Sequence, residues 1–252
     1  MDWSLVAAVN DEQVLQGSLL SSPDAATCEI VIERGFPTCG AAYQEGLRET
    51  SKEIIVFAHQ DVYLPNGWRR KVEAAIATLA DHDPDWAVLG VFGVDLNDRC
   101  HGHVYSTGSR RVLGSPFVDA IPAQSLDEMV LIVRRSAGIG FDPELPGYHL
   151  YGTDICLTAR RAGLRSYVIP AFCLHNSNGI RSLPASFWKA YRYLRKKWWS
   201  VLPVSTCCTR ITKSPLAVLK FRTKELVNSH LSPREPGHRV ADPEQLYLSR
   251  FS

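Results

Sequence analysis

The chain lacks what would mark several common functional classes. No apolar run approaches the roughly 20 residues needed to span a bilayer. The opening residues Met1-Asp2-Trp3-Ser4 have no basic flank followed by an apolar stretch, so the sequence predicts neither leader nor anchor and a cytoplasmic location. The glycine fingerprint GxGxxG and the phosphate-loop pattern GxxxxGK[ST] are both missing, which removes the two commonest ways of cradling a phosphate with backbone. Seven cysteines form an odd set with no CxxC pair, which points to reduced structural thiols, not a disulfide framework. Internal repeats and low-complexity stretches are also absent.

What is present is a chain of 252 residues, 45% hydrophobic and 21% charged, enough for one large α/β domain with an extension. The net charge of +2 conceals an asymmetry. Residues 1–180 carry 14 Lys+Arg against 22 Asp+Glu, whereas 181–252 carry 14 against 4. An acidic body suits carboxylate and metal chemistry, and a basic tail suits an anionic partner.

Apolar runs predict buried strands at 3–9, 28–32, 53–58, 86–92, 129–133 and 165–169. Between them, helices are expected at 11–20, 41–50 and 68–80, and from about Asp154. This alternation predicts an α/β domain with a mostly parallel sheet over 1–180. Residues 95–118, rich in Gly, Asp, Ser, His and Arg, read as an irregular excursion or hairpin over the sheet edge. Three successive strands end in polar groups: Asn10-Asp11, Glu33 and His59-Gln60-Asp61. Ligands of open α/β sheets bind beyond the carboxyl ends of strands. A carboxylate beside a histidine at such an end can hold a divalent cation that neutralises a departing diphosphate.

From about Ser4 to Gly179 an ordered series of segments resembles the inverting glycosyltransferases of family 2, with the GT-A fold and an HQD segment in place of DxD. The series runs through Val9-Asn10-Asp11, Ala42-Tyr43-Gln44-Glu45-Gly46, Ile54 to Val62, Val88 to Gly93, Leu126-Asp127-Glu128, Tyr148 to Leu157 and Leu174-His175-Asn176-Ser177. The order and spacing carry the resemblance more than any one piece.

The resemblance implies transfer of a hexosyl or N-acetylhexosaminyl group from a nucleoside-diphosphate sugar, UDP above others, to a hydroxyl of a glycan or lipid-linked glycan. It implies Asp61 and His175 as ligands of Mn²⁺ or Mg²⁺, and Asp154 as the general base, with Asp127 as the second choice. His59 stands where the first Asp of DxD would be, a departure that leaves a ribose or phosphate contact for it. Asn10, Glu33 and Gln44 match positions that line the nucleoside pocket. An Asp opening a helix also serves as an N-cap, and a lone histidine after a strand is often structural.

In the basic extension, 181–252, residues 187–199 place Phe187, Tyr191, Leu194 and Trp198 on one helical face with cations elsewhere. Such a helix suits either an anionic membrane surface, peripheral on its inner face, or ordinary packing on the body. No nucleic-acid motif accompanies it. From Ser232 an extended terminus is expected. Two other readings remain open from the residues: a metal-dependent phosphoester or nucleotide hydrolase, and a non-catalytic nucleotide-sugar-binding or membrane scaffold protein.

Overall fold

The computed structural model describes residues 1–179, 182–231 and 237–251, with backbone alone for 224–231. The first part alternates as the apolar runs require: β1 (Trp3–Val9), α1 (Glu12–Gly17), β2 (Glu29–Arg34), α2 (Cys39–Glu49), β3 (Ile54–Ala58), the short β4 (Val62–Tyr63), α3 (Trp68–His82) and β5 (Trp86–Gly90). Next come β6 (Phe92–Asp95), β7 (Cys100–Ser106), β8 (Arg111–Gly114), β9 (Ile121–Leu126), β10 (Val130–Arg134), α4 (Tyr151–Arg161), β11 (Arg165–Val168) and β12 (Cys173–His175). The remainder holds α5 (Ala185–Lys197), a ribbon of β13 (Val204–Ser205) and β14 (Arg210–Ile211), α6 (Pro215–Leu231) and α7 (Pro243–Arg250).

Twelve strands form one sheet in the order β2-β1-β3-β10-β5-β11-β9-β6-β7-β12-β4, with β8 paired to β7. β2, β1 and β3 are parallel, with Val9 opposite Arg34 and Val6 opposite Phe57, so their carboxyl ends lie nearly level. Elsewhere parallel pairing is confined to β5-β11 and β7-β12, and the sheet as a whole is mixed. The cause is local. β6, β7, β8 and β9 follow one another through short links with no crossover helix, which allows only antiparallel neighbours. Residues 95–118 thus supply β7 to the sheet itself, between β6 and β12, with β8 paired to it.

Both sheet faces are covered, as the continuous apolar runs require. Along β1 and β3 the side chains alternate. Leu5, Ala7, Val56 and Ala58 join Leu15 of α1 and Trp68 and Val72 of α3, whereas Val6, Ile55 and Phe57 join α2, α4 and α5. α5 is amphipathic over Ala185–Lys197, and Phe187, Trp188, Tyr191, Leu194 and Trp198 are buried in the same core as α4. Its apolar face is therefore spent inside the protein, while Trp199, just beyond, is 49% exposed.

Of the extended terminus expected from Ser232, residues 232–236 and 252 lie outside the described residues. From Gly237 the chain is extended only to Asp242, whose side chain accepts from the Gln245 N–H and caps α7, with Pro243 in the first turn. Leu246, Tyr247 and Phe251 pack on Tyr63, Tyr105, Leu174 and Phe172, which gives this short helix its tertiary support. No helix among the described residues is long and apolar enough to cross a membrane.

Candidate metal and donor site

His59 and Asp61 leave the end of β3 in a turn closed by the Val62 N–H on the His59 carbonyl (3.1 Å). The two residues that follow, β4, pair antiparallel with β12, which sets His175 opposite Val62 and so beside Asp61. Segments more than a hundred residues apart are joined by this one pairing. His59, Asp61 and His175 each offer a ligand atom, all within 4.8 Å of one another, and His175 Nε2 lies 3.4 Å from Asp61 Oδ1. Gln60, the middle residue, ties the ends of β1 and β3 together. Its Oε1 accepts from the Asn10 and Asp11 N–H groups (3.0 and 3.1 Å), and its Nε2 donates to Asn10 Oδ1 (2.6 Å).

Asp61 is 8% exposed, and burial opposes its charge. His175, His59 and Arg239 outweigh burial and hold its carboxyl well below the usual carboxylate range. Burial pushes the His59 imidazole down, which keeps it neutral. For His175 burial acts the same way, but the Asp61 carboxylate wins and raises it. The Tyr151 hydroxyl lies 2.7 Å from His59 Nε2 and donates to the Glu128 carbonyl at 3.1 Å. With its proton so placed, Tyr151 accepts from Nε2–H, and His59 keeps its lone pair on Nδ1. Two imidazoles and one ionised carboxylate this close form a donor set that fits a divalent transition ion such as Mn²⁺.

Two further carboxylates come from the link between β9 and β10. Asp127 Oδ1 accepts from the Met129 N–H (3.1 Å), and its charge favours the protonated forms of both His59 and His175. The Glu128 carboxyl meets the N–H groups of Leu150 and Gly152 where α4 begins. Burial, with Asp127 adding to it, pushes Glu128 well above the usual carboxylate range.

Asp154 is placed differently. α4 begins at Tyr151 with Leu150 as N-cap, so Asp154 sits in the first turn and does not cap the helix. It is 2% exposed, with Oδ1 accepting from Trp198 Nε1 (2.6 Å) and Oδ2 paired with Lys197 Nζ (2.8 Å). Lys197 also reaches Asp142 (2.7 Å). Both oxygens are thus committed to the seam between α4 and the end of α5.

Of the residues that the resemblance assigns to a nucleoside pocket, Asn10 stays exposed at the end of β1, held by Gln60. Gln44 Oε1 accepts from the Phe141 N–H (2.9 Å) and so braces the loop before α4. Glu33 is 6% exposed and lies against Gly46 of α2, with Oε1 buried and without a hydrogen-bond partner. Sequence reasoning missed Tyr151, the bracing role of Gln60, and Arg239. The Arg239 Nη2 lies 3.2 Å from Asp61 Oδ2, and nothing in its neighbourhood in the sequence marks it except membership of the basic tail.

No family model matches the chain. One curated relative, named ATP synthase subunits region ORF 6, from Fuscovulum blasticum, is 34% identical over 143 residues, covering 53% of this chain and 55% of that protein. The match thus spans about half of each, and the relative's name states no activity. Among solved structures, that of S. aureus TarS 1–349 in complex with UDP-GlcNAc is similar over 100% of this chain and 76% of that one, with TM-score 0.51 and 13% identity. The same protein in complex with UDP gives TM-score 0.50 over 92% of this chain and 72% of that one, at 15% identity. The likeness defines the fold: an α/β domain of GT-A type with a helical C-terminal extension.

Proposed function

We propose that this chain is a nucleotide-sugar glycosyltransferase that transfers a sugar from a nucleoside diphosphate to an acceptor hydroxyl with inversion. The carrying observation is the meeting of His59, Asp61 and His175 at the carboxyl ends of the strands. The likeness in fold to TarS in complex with UDP-GlcNAc supports a UDP-sugar with a hexosyl or N-acetylhexosaminyl group.

Asp61 and His175, joined by His59, would hold Mn²⁺ or Mg²⁺, which when bound neutralises the diphosphate as it leaves. Tyr151 fixes the His59 ring, and Gln60 fixes the loop. Asp127 takes the proton of the acceptor hydroxyl as its oxygen bonds to the anomeric carbon and the bond to the diphosphate breaks. Asp154 is a positioning residue in this reading, because Lys197 and the Trp198 indole N–H hold both its oxygens. The unpaired Glu33 oxygen and the exposed Asn10 are the groups on the nucleoside side. A glycan or lipid-linked acceptor, met at the cytoplasmic face of a membrane, fits the cationic surface of Arg192, Arg195 and Lys196 with exposed Trp199.

The test is a mass-spectrometric screen of UDP- and GDP-sugars with oligosaccharide acceptors. Transfer is expected with Mn²⁺ and a loss of at least about tenfold in EDTA. Asp127→Asn should lower kcat by about 10²–10⁴ with donor affinity kept. Donor turnover that proceeds equally well without acceptor would replace this reading with a hydrolase.

A further inference from the structure

The metal cluster is crossed by a strap, residues 237–242, that enters the site from the far end of the described chain. It is fastened on both sides. The Gly237 N–H donates to the Gly108 carbonyl (2.9 Å), and its Cα lies so close to the Thr107 carbonyl that no side chain fits there. The Arg239 N–H donates to Asn178 Oδ1 (3.1 Å). The Val240 N–H and carbonyl exchange two hydrogen bonds with the side-chain amide of Asn176 (2.8 and 2.9 Å). Asn176 is buried, follows His175 directly, and donates its own N–H to the Asp61 carbonyl (2.7 Å). The strap and the cluster are therefore built on the same residues.

Arg239 is the side chain this strap delivers. Its Nε donates to the Asn176 carbonyl (3.1 Å) and its Nη2 to Asp61 Oδ2 (3.2 Å). These contacts use two of its five N–H groups. The one carboxylate of the cluster is thus shared between a guanidinium and the cation site. When a divalent cation takes Asp61, a single carboxylate cannot neutralise both, and the surplus positive charge calls for an anion. A guanidinium matches the paired oxygens of a phosphate in geometry as well as charge.

We infer that Arg239 is a donor-binding residue: it holds the Asp61 carboxylate while the cation site is free and passes to the diphosphate of the donor when the cation and nucleotide enter. This inference rests on the glycosyltransferase reading, since it needs a diphosphate at the cluster. The strap supplies Arg239 in either state, because the backbone bonds to Gly108, Asn178 and Asn176 do not involve the guanidinium.

The experiment uses the full chain and its Arg239→Ala and Arg239→Lys variants. Mn²⁺ binding alone is followed by electron paramagnetic resonance of free Mn²⁺. UDP, GDP and UMP binding in saturating Mn²⁺ is followed by calorimetry, and thermal unfolding is recorded for each protein. The expected result for Arg239→Ala is Mn²⁺ affinity equal to or tighter than that of the parent. Affinity for whichever nucleoside diphosphate the parent binds should be at least tenfold weaker, and affinity for UMP less affected. Arg239→Lys should recover part of the loss, and it carries the test should the alanine variant melt early. Unchanged diphosphate affinity would overturn the inference while leaving the glycosyltransferase reading intact. Loss of Mn²⁺ binding in Arg239→Ala would also overturn it, by making Arg239 a support for the cluster. A parent protein that binds no nucleoside diphosphate with Mn²⁺ would overturn both.

Discussion

Two aspartates near the start of α4 carry similar sequence credentials and different physics. Asp154 has spent both oxygens on Lys197 and Trp198 inside the protein, whereas Asp127 keeps one backbone partner and acts on both histidines. Replacing Asp154 by Ala leaves the buried indole N–H of Trp198 without its partner, while Lys197 keeps Asp142, which should cost about 1–3 kcal/mol of stability. Asp127→Asn should leave stability within about 0.5 kcal/mol of the parent while transfer collapses. Chemical denaturation and turnover, measured on both variants, separate the two roles. If Asp154→Asn kept full stability yet abolished transfer, the base would be Asp154 after all. A carboxylate's rank as a base thus depends on what else claims it. The run Gly152-Thr153-Asp154 reveals a helix start, but which way the third residue points is decided by α5, some forty residues on.

At the scale of elements, Asp83 shows how a turn can fasten the sheet. It ends α3, accepts from the Asp85 N–H (3.1 Å), and receives both Arg165 and the Tyr167 hydroxyl, so it ties the turn before β5 to β11. Burial works against its charge, but Tyr167, the Asp85 N–H and Arg165 prevail and lower its carboxyl from the ordinary 3.8. The folded state therefore binds this proton less readily than the unfolded state. The stability it contributes is complete above the ordinary carboxylate pKa and drains as pH falls through the lower folded value. Denaturation midpoints measured from pH 6 down to pH 2.5 should show Asp83→Asn less stable by about 2 kcal/mol at pH 6 and converging on the parent in acid. Equal spacing at every pH would mean that the carboxylate charge is not what holds the turn.

How far elements could be read in advance follows from their length. β1, β3, β5 and β10 announce themselves because strands buried on both faces need unbroken apolar runs, and the polar residues that stop β1 and β3 mark the ligand end. β4 and β12 are two and three residues long and carry no period, yet their pairing is what brings His175 to Asp61. The period of α5 is legible, but that its aromatic face turns inward is a property of its neighbours.

For the whole molecule, a site drawn from distant segments exists only in the folded chain. A cation that binds it must therefore stabilise the fold globally. Mn²⁺ at about 100 times its Kd should add about 2.7 kcal/mol, roughly 5–10 °C in unfolding midpoint for a chain of this size. Asp61→Asn should cancel the rise, and EDTA should reverse it. A rise that persists in Asp61→Asn would place the ion elsewhere. Arg239 belongs to this scale also. Its place beside Asp61 is set by hydrogen bonds from Asn176 to strap backbone, and backbone partners leave no trace in residue type.

The pairing of β4 with β12 bears on how the protein comes off the ribosome. A nascent chain that has emerged as far as β3 already has the parallel trio β2-β1-β3, and with it His59 and Asp61, but the third ligand is still being translated. The strap that lends Arg239 follows later still. Throughout that interval Asp61 stands at a strand end without His175 or Arg239 beside it.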